Sequence, residues 1–217
     1  MFSTMKVALL AGGTGLIGSQ LLQLLTEDGA YTTIKCLTRN TLPTTHNKIE
    51  VTQTDGSNLN ELGSSLIADD VFCCLGTTIK KAKTKESFRK IDFDYPLELA
   101  KLSKAGGAKQ FLLISALGAD PTSSVFYNKV KGEVEEAIAA VGFDAYHVFR
   151  PSLLLGSRSE ERSGEDAAKI FFKLFGFLVP GKYKAIDSAK IARAMVLMAK
   201  KNGKGSFVYE SKLLQSF

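Results

Sequence analysis

The chain has 217 residues, a formal net charge of +6, 45% hydrophobic residues and 23% charged residues. Such a length and composition are ordinary for a globular domain with a full core. With no nucleic-acid-binding motif and no stretch near the eighteen or so continuous apolar residues of a membrane span, we expect one domain, 1–217, that binds neither nucleic acid nor membranes.

Apolar runs alternate with helical patterns along the chain. Strands are predicted at Val7–Leu10, Thr33–Leu37, Ile49–Thr52, Val71–Leu75, Phe111–Ser115 and Ala145–Arg150, with a last short one at Ser206–Tyr209. Helices are predicted at Ile17–Thr26, Glu86–Lys104, Ser124–Ala140 and Ser188–Lys200. In the second of these helices, apolar residues recur at helical spacing: Phe88, Ile91, Tyr95, Leu99 and Leu102. This alternation indicates right-handed βαβ units and a parallel sheet buried on both faces. The fold class is therefore α/β, a doubly wound Rossmann-type sheet whose ligand lies at the carboxyl ends of the strands.

The first predicted strand and helix are joined by a glycine-rich turn, residues 12–18 (GGTGLIG). The amides that open a helix attract a pyrophosphate, because they are unpaired and carry the positive end of the helix dipole. Gly12 allows the tight turn, Gly15 lets phosphates approach, and Gly18 lets the helix pack closely on the strand. Many structural turns also carry glycines, so the flanking strand and helix are what favour a dinucleotide site. The cofactor-binding residues predicted in this turn are Gly12, Thr14, Gly15, Leu16 and Ile17.

The end of the second predicted strand indicates which dinucleotide binds. An acidic residue there binds the 2′-hydroxyl of NAD, whereas an arginine accommodates the 2′-phosphate of NADP. This strand is followed by Arg39 and has no carboxylate, so Arg39 and the Thr38 hydroxyl favour NADP(H) over NAD(H). The alternative is that Arg39 is only a surface charge. Asp55, after the third strand, is placed to accept from the adenine amino group, although Asp-Gly also suits any turn.

Two features follow the fourth predicted strand. Gly76 would let a cofactor approach the backbone, and Thr77 would supply a hydrogen-bond donor. The lysine-rich segment 80–85 (KKAKTK) is either a solvated basic loop or an anion-attracting loop beside the site. The solvated loop is favoured, because no aromatic residues interleave with the lysines.

Three cysteines, Cys36, Cys73 and Cys74, form no disulfide framework, since their number is odd and two are adjacent in an apolar run. They indicate reduced thiols. The first residues lead directly into the first strand and leave no room for a signal peptide. Together these observations predict a cytoplasmic protein.

Tyr127 and Lys131 lie four residues apart in a predicted helix and therefore share one helix face. Tyr31 and Lys35 have the same spacing, but they fall in a predicted strand, where they would be roughly 13 Å apart. Ser115 ends the strand that precedes the helix of Tyr127. We therefore take Ser115, Tyr127 and Lys131 as the candidate catalytic residues; no metal site is predicted.

Ser115, Tyr127 and Lys131 together resemble the short-chain dehydrogenase/reductase superfamily. The chain looks like its atypical branch, which contains the Tat-interacting-protein oxidoreductases. The segments that carry this resemblance are 72–78 (FCCLGTT), 105–107 (AGG), 118–120 (GAD), 130–134 (VKGEV) and 148–151 (VFRP).

The resemblance implies an enzyme, an NADP(H)-dependent oxidoreductase acting on a carbonyl or alcohol. Tyr127 would exchange a proton with the substrate oxygen, and Ser115 would hydrogen-bond that oxygen. Lys131 would lower the pKa of Tyr127 and hold the nicotinamide ribose, so that Tyr127 and Lys131 also contact the cofactor. The alternative is an NADPH-binding regulatory or chaperone-like protein with little turnover.

Two departures disfavour a sugar-nucleotide epimerase. Asp92 stands where relatives that act on sugar nucleotides commonly carry an asparagine, and the chain lacks their substantial C-terminal substrate domain. Pro151 is expected to shape the nicotinamide pocket. Arg150 either lies in that pocket or is a structural ion-pair partner.

The last third of the chain differs from the rest. Residues 157–164 are polar and residues 170–178 are rich in phenylalanine. Because this region is short and apolar for an independent domain, we expect 152–217 to form a small substrate-side cap. The stretch 170–178 would be core, a lid over a small-molecule substrate, or a contact between the two copies of a homodimer.

Overall fold

The computed structural model describes residues 5–155, 184–201 and 203–217. The strands are β1 Lys6–Ala11, β2 Tyr31–Thr38, β3 Ile49–Gln53, β4 Asp70–Cys73, β5 Gln110–Ile114, β6 Ala145–Arg150, β7 Leu154–Leu155, β8 Ile186–Asp187 and β9 Gly205–Glu210. The helices are α1 Leu16–Glu27, α2 Ile79–Ala82, α3 Lys85–Arg89, α4 Tyr95–Ala105, α5 Phe126–Ala139, α6 Ser188–Lys200 and α7 Ser211–Leu214. Short 3₁₀ turns span Leu59–Glu61 and Gly63–Leu66, and a π-helical turn spans Lys90–Asp94.

Seven strands form one parallel sheet in the order β3-β2-β1-β4-β5-β6-β9, which confirms the doubly wound α/β fold. Each predicted strand is present, with bounds within two residues of those expected. The chain runs outward from β1 through β2 and β3 and then returns to place β4 on the other side of β1. The carboxyl ends of β1 and β4 therefore flank the crevice where a doubly wound sheet binds its ligand.

Helices cover both faces of the sheet, because the strands are apolar on both sides. On one face α1 and α6 pack together, with Leu21, Leu25 and Met195 fully buried. On the other face α4 and α5 bury Leu99 and Ile138. Among the described residues, no helix combines the length and the apolar character needed to cross a bilayer.

The described part of 152–217 belongs to the sheet and to one of its helical layers. Helix α6 packs against α1 on the sheet face, and β9 pairs with β6 as the outermost strand. The buried stripe of α6, which includes Ile191 and Met195, needs an apolar surface to cover, and the sheet supplies it. The stretches 157–164 and 170–178 lie outside the described residues, so a lid or dimer contact there stays a prediction.

The helix predicted at Glu86–Lys104 is interrupted. It begins as α3, passes through the π-helical turn Lys90–Asp94 and continues as α4. The extra residue of a π turn rotates the side chains that follow, and such turns often occur at functional sites. The segment 80–85 is likewise not a simple loop, since α2 begins where the Thr78 side chain accepts from the Lys81 amide.

Candidate functional site

A cavity of about 350 Å³ opens at the carboxyl ends of the strands on both sides of the β1/β4 switch point. Its position is that expected for a ligand of a doubly wound sheet. The residues that line it are Ala11, Gly12, Thr14, Gly15, Leu37, Thr38, Arg39, Thr54, Asp55, Gly56, Leu59, Cys74, Leu75, Gly76, Ser87, Lys90, Ile91, Tyr95 and Leu99.

The glycine-rich turn is packed so tightly that a side chain at Gly12 or Gly18 would clash with backbone atoms. Gly12 has a φ of +87°, and a Cβ there would lie 2.6 Å from the Cys74 carbonyl oxygen. A Cβ on Gly18 would lie 2.1 Å from the Gly12 carbonyl oxygen, so the helix is in direct backbone contact with the turn.

The helix that follows this turn begins at the cavity, since Gly15 is part of the cavity lining. Gly15 is the N-cap of α1, where no side chain caps the helix and no acidic side chain occupies the first turn. The first amides of a helix have no intrahelical acceptor, so those of Leu16 and Ile17 can donate to an anion. The turn therefore fits the diphosphate of a dinucleotide.

Of the predicted cofactor-binding residues, the cavity brings together Gly12, Thr14, Gly15, Thr38, Arg39, Asp55 and Gly76. Leu16, Ile17, Thr77, Tyr127, Lys131 and Pro151 are not part of its lining. The Ile17 side chain is instead in the core, so only its backbone is available to a ligand. Pro151 is buried, and its carbonyl accepts from the Leu117 amide.

At one end of the cavity stands the exposed Arg39, whose side chain has no ion-pair partner among the described residues. Thr38 does not supply the expected free donor, because it is buried and its hydroxyl already donates to the Asn40 carbonyl at 2.6 Å. Asp55 is held by Ser57, whose hydroxyl and amide both donate to it and lower the pKa of the Asp55 carboxyl. Its second carboxylate oxygen remains available to accept.

The helical wall of the cavity contains residues that the sequence did not single out as ligand contacts. Ile91 and Tyr95 line it, and the Tyr95 ring covers the backbone of Gly56, where a Cβ would lie 2.6 Å from the ring. The Lys90 ammonium lies 5.5 Å from the centre of the Tyr95 ring. Helical spacing identified Ile91 and Tyr95 as apolar positions, but nothing in that spacing distinguishes a cavity wall from a core.

The Lys131 ammonium lies at the edge of this cavity. It is 2.7 Å from the Asp92 carboxylate, and both side chains are almost completely buried. The other carboxylate oxygen of Asp92 accepts from the Thr77 amide at 2.9 Å. A Cβ on Gly76 would lie 3.4 Å from Asp92 and 3.8 Å from the Lys131 nitrogen, so this ion pair is next to a residue that lines the cavity.

Burial by itself would lower the pKa of Lys131. The attraction of the Asp92 carboxylate, with smaller contributions from Tyr127 and Cys73, reverses this effect and raises the pKa. Lys131 is therefore a permanent cation at neutral pH.

Tyr127 lies one helical turn before Lys131 on α5, with its ring centre 5.4 Å from that of Phe88. Burial raises the pKa of the Tyr127 phenol; the Lys131 charge lowers it, and the Asp92 charge raises it again, so that it ends above its ordinary value. Lys131 therefore lowers the pKa of Tyr127 as predicted, but burial and the Asp92 charge outweigh this effect. By contrast, Tyr31 and Lys35 bind separate partners, Asp70 for the phenol and the Ser64 and Ile67 carbonyls for the ammonium.

The Ser115 side chain is buried, and its hydroxyl donates a hydrogen bond to the Glu135 carboxylate. The hydroxyl therefore does not point into open space. Glu135 is also held by Arg150, whose Nη2 lies 2.5 Å from one carboxylate oxygen. A second nitrogen of Arg150 contacts Glu210 at 3.0 Å. Arg150 is thus an ion-pair partner, and these contacts raise its pKa.

The sequence analysis missed Glu135. Its position four residues after Lys131, on the same helix face, is the signal that could have identified it. Within the part of the chain that is described, no group of three or more His, Cys, Asp or Glu side chains is arranged to hold a metal ion.

Solved structures of similar fold include an enzyme in complex with NAD⁺ and an epimerase. The Bordetella bronchiseptica enzyme WbmH in complex with NAD⁺ matches with a TM-score of 0.70 and 18% identity, over 95% of this chain and 76% of that one. The UDP-N-acetylglucosamine 4-epimerase of Methanobrevibacter ruminantium M1, in complex with UDP-N-acetylmuramic acid, matches with a TM-score of 0.72 and 18% identity, over 95% of this chain and 77% of that one. At this identity the likeness shows the Rossmann-type fold alone.

Two relatives are considerably more similar in sequence. Rat protein HTATIP2 is 39% identical over 171 residues, which are 77% of this chain and 70% of the relative. The Candida albicans protein FMP52, mitochondrial, is 33% identical over 201 residues, 89% of this chain and 88% of the relative.

The predicted cytoplasmic location is wrong on this comparison, because the name of this fungal relative points to mitochondria. The reasoning failed because reduced cysteines exclude only compartments where disulfides form, and they do not distinguish the cytoplasm from a mitochondrion.

A model of a known protein family covers most of the chain. The NAD dependent epimerase/dehydratase family matches residues 8–166, which include the glycine-rich turn, the cavity and the Tyr127–Lys131 helix. The chain therefore belongs to the NAD-dependent epimerase/dehydratase family, and its similarity to HTATIP2 and FMP52 places it in the atypical short-chain dehydrogenase/reductase branch.

Proposed function

We propose that the protein is an NADP(H)-dependent oxidoreductase that acts on the carbonyl or alcohol group of a small molecule. The observation that carries the proposal is the 3.8 Å between the Lys131 nitrogen and the position of a Cβ on Gly76. This distance supports the proposal because Gly76 lines the cavity, so the Lys131 ammonium is close to the space that a ligand would fill.

The cofactor would lie along the carboxyl ends of the strands. The α1 amides after Gly15 would hold the diphosphate, and Arg39 would pair with a 2′-phosphate. Asp55 would accept from the adenine amino group through its free carboxylate oxygen, with Tyr95 as an apolar wall. Gly76 would lie against the nicotinamide half, within reach of Lys131. When bound, the dinucleotide would supply or accept a hydride.

The protein's own groups would handle the proton. Tyr127 would donate its phenolic proton to a carbonyl oxygen during reduction and take one back during oxidation. Ser115 would orient that oxygen. Its hydroxyl now donates to Glu135, but Glu135 keeps its contacts with Arg150 if the hydroxyl rotates, so turning Ser115 toward a substrate leaves no buried charge unpaired.

Replacement of Tyr127 by phenylalanine tests the catalytic assignment. We expect Tyr127→Phe to lower NADPH-dependent turnover of an active aldehyde or ketone by about 10²-fold or more, since a general acid contributes roughly that factor. NADPH oxidation is followed by absorbance across a panel of carbonyl compounds.

Tyr209→Phe is the matched control, because Tyr209 bonds to His147 on the outer strands and should retain activity. A Tyr127→Phe protein that keeps full activity would contradict the assignment. A wild-type protein that binds NADPH but turns over none of the panel would favour the regulatory alternative.

Replacement of Arg39 by alanine tests the preference for NADP(H). We expect Arg39→Ala to weaken NADPH binding by about 1–3 kcal/mol, the size of a lost charge-assisted hydrogen bond, and to leave NADH binding unchanged. Dissociation constants come from titration calorimetry at fixed ionic strength. Arg193→Ala, an exposed arginine on α6, controls for the change in net charge. Equal weakening of both dinucleotides by Arg39→Ala would refute a 2′-phosphate contact.

A further inference from the structure

Asp92 is a buried acid in the irregular part of a helix. It lies in the π-helical turn Lys90–Asp94, is 1% exposed, and contacts the Lys131 ammonium and the Thr77 amide. A carboxylate buried here is costly unless its charge is compensated, and the compensation comes from Lys131. The π turn aims the residue at the lysine beside the candidate proton donor.

This arrangement changes what Lys131 can do for Tyr127. A lone buried ammonium near a phenol stabilises the phenolate and so favours loss of the phenol proton. Here a carboxylate lies 2.7 Å from that ammonium, so the two charges form a neutral pair with a much weaker field at the phenol.

No other charged group among the described residues offsets the weakened field at the Tyr127 phenol. Among the described residues, the charged groups that act on Tyr127 are Lys131 and Asp92 alone. Lys131 is also near Cys73, but burial raises the pKa of that thiol to about 11, so it is uncharged at neutral pH.

We propose that Asp92 is a positioning residue that keeps Tyr127 protonated by neutralising Lys131, and so adapts the site to carbonyl reduction rather than alcohol oxidation near neutral pH. The inference rests on the proposed function, which it deepens by assigning the direction in which the chain works. Neither the burial of Asp92 nor its place in the π-helical turn requires an acid at this position, so the proposal also gives the carboxylate a role.

The consequence follows from the proton balance of the reaction. In reduction the carbonyl carbon gains a hydride from the reduced dinucleotide, its oxygen takes the Tyr127 proton, and solvent then reprotonates the phenolate. This step needs the phenol form, which a raised pKa of Tyr127 favours at neutral pH. Oxidation needs the phenolate as base, and the same raised pKa makes the phenolate scarce.

The test is a titration of the free protein, which requires neither cofactor nor substrate. The protein is labelled with ¹³C at the ζ carbon of tyrosine, and the Tyr127 resonance is assigned from its loss in Tyr127→Phe. In the wild type we expect no titration of Tyr127 below pH 10. In Asp92→Asn, whose amide oxygen can still accept from Thr77, we expect the midpoint to fall by about one pH unit or more because the lysine is no longer neutralised.

Asp94→Asn is the matched control, since Asp94 lies in the same π turn but is exposed, and its Tyr127 midpoint should equal that of the wild type. An unchanged midpoint in Asp92→Asn would overturn the proposal. So would a wild-type Tyr127 that titrates near neutral pH, a result that does not depend on the folding of any variant. Because the titration uses free protein, a lack of turnover would refute the proposed function without altering this outcome.

Discussion

At the scale of single residues, His147 makes the stability of the fold depend on pH. It is 2% exposed on β6, stacks on Phe207 and shares a hydrogen bond of 2.9 Å with the Tyr209 hydroxyl. Burial lowers its pKa to about 4, below its ordinary value of 6.5. Protonation therefore favours the unfolded chain, and the contribution of His147 to stability is complete above pH 6.5 and is lost as the pH falls toward 4.

We expect the free energy of unfolding to decrease by about 1–3 kcal/mol between pH 7 and pH 4.5 through this residue. The measurement is urea denaturation of the wild type and of His147→Gln at both pH values, and the variant should show a correspondingly smaller decrease. His46→Gln, at an exposed position, should retain the wild-type slope. Equal slopes in the wild type and His147→Gln would contradict the assignment.

At the scale of secondary-structure elements, α5 is fixed by a contact that excludes a side chain. A Cβ on Gly132 would lie 2.2 Å from the Pro121 nitrogen and 2.3 Å from the Asp120 carbonyl carbon. Alanine normally stabilises a helix interior by about 1 kcal/mol relative to glycine, but overpacking costs about 1–3 kcal/mol. We expect Gly132→Ala to be destabilising by about 1–2 kcal/mol in urea denaturation, because the rigid neighbours are backbone and proline atoms.

The same helix carries Tyr127 and Lys131, so we also expect Gly132→Ala to lower NADPH-dependent turnover. Gly29→Ala is the control, since a Cβ there would meet no atom within 4 Å. It should stay within about 0.5 kcal/mol of the wild type. Gly132→Ala with wild-type stability would mean that α5 can shift away from the loop at 120–121.

The apolar patterns predicted where the helices of the site lie, but they did not predict that one of these helices is interrupted. The apolar positions Phe88, Ile91 and Tyr95 indicated one continuous helix, whereas the chain inserts a π turn at Lys90–Asp94. The reason is that one extra residue barely alters an apolar pattern of period 3.6, yet it decides which side chain faces Lys131. The contact of Asp92 with Lys131 was for this reason beyond the sequence analysis.

At the scale of the whole molecule, β9 extends the sheet at its edge and α6 packs on one of its faces. The Lys200 ammonium contacts Asp28 at 2.6 Å, so the end of α6 is joined to the end of α1. The sequence predicted both elements but not their place, because a short strand and an amphipathic helix fit a sheet edge and a cap equally well. Only the parallel pairing of β9 with β6 distinguishes the two.

The sequence by itself determined the doubly wound fold, the glycine-rich turn and the Tyr127–Lys131 pair, because each follows from periodicity or spacing over a few residues. The tertiary structure alone decided which polar groups meet. Asp92 reaches Lys131 across 39 positions, and Ser115, Glu135, Arg150 and Glu210 converge from two strands, a helix and a strand end. Such contacts depend on how separate elements pack, and no local pattern encodes the distance between two residues that the fold brings together.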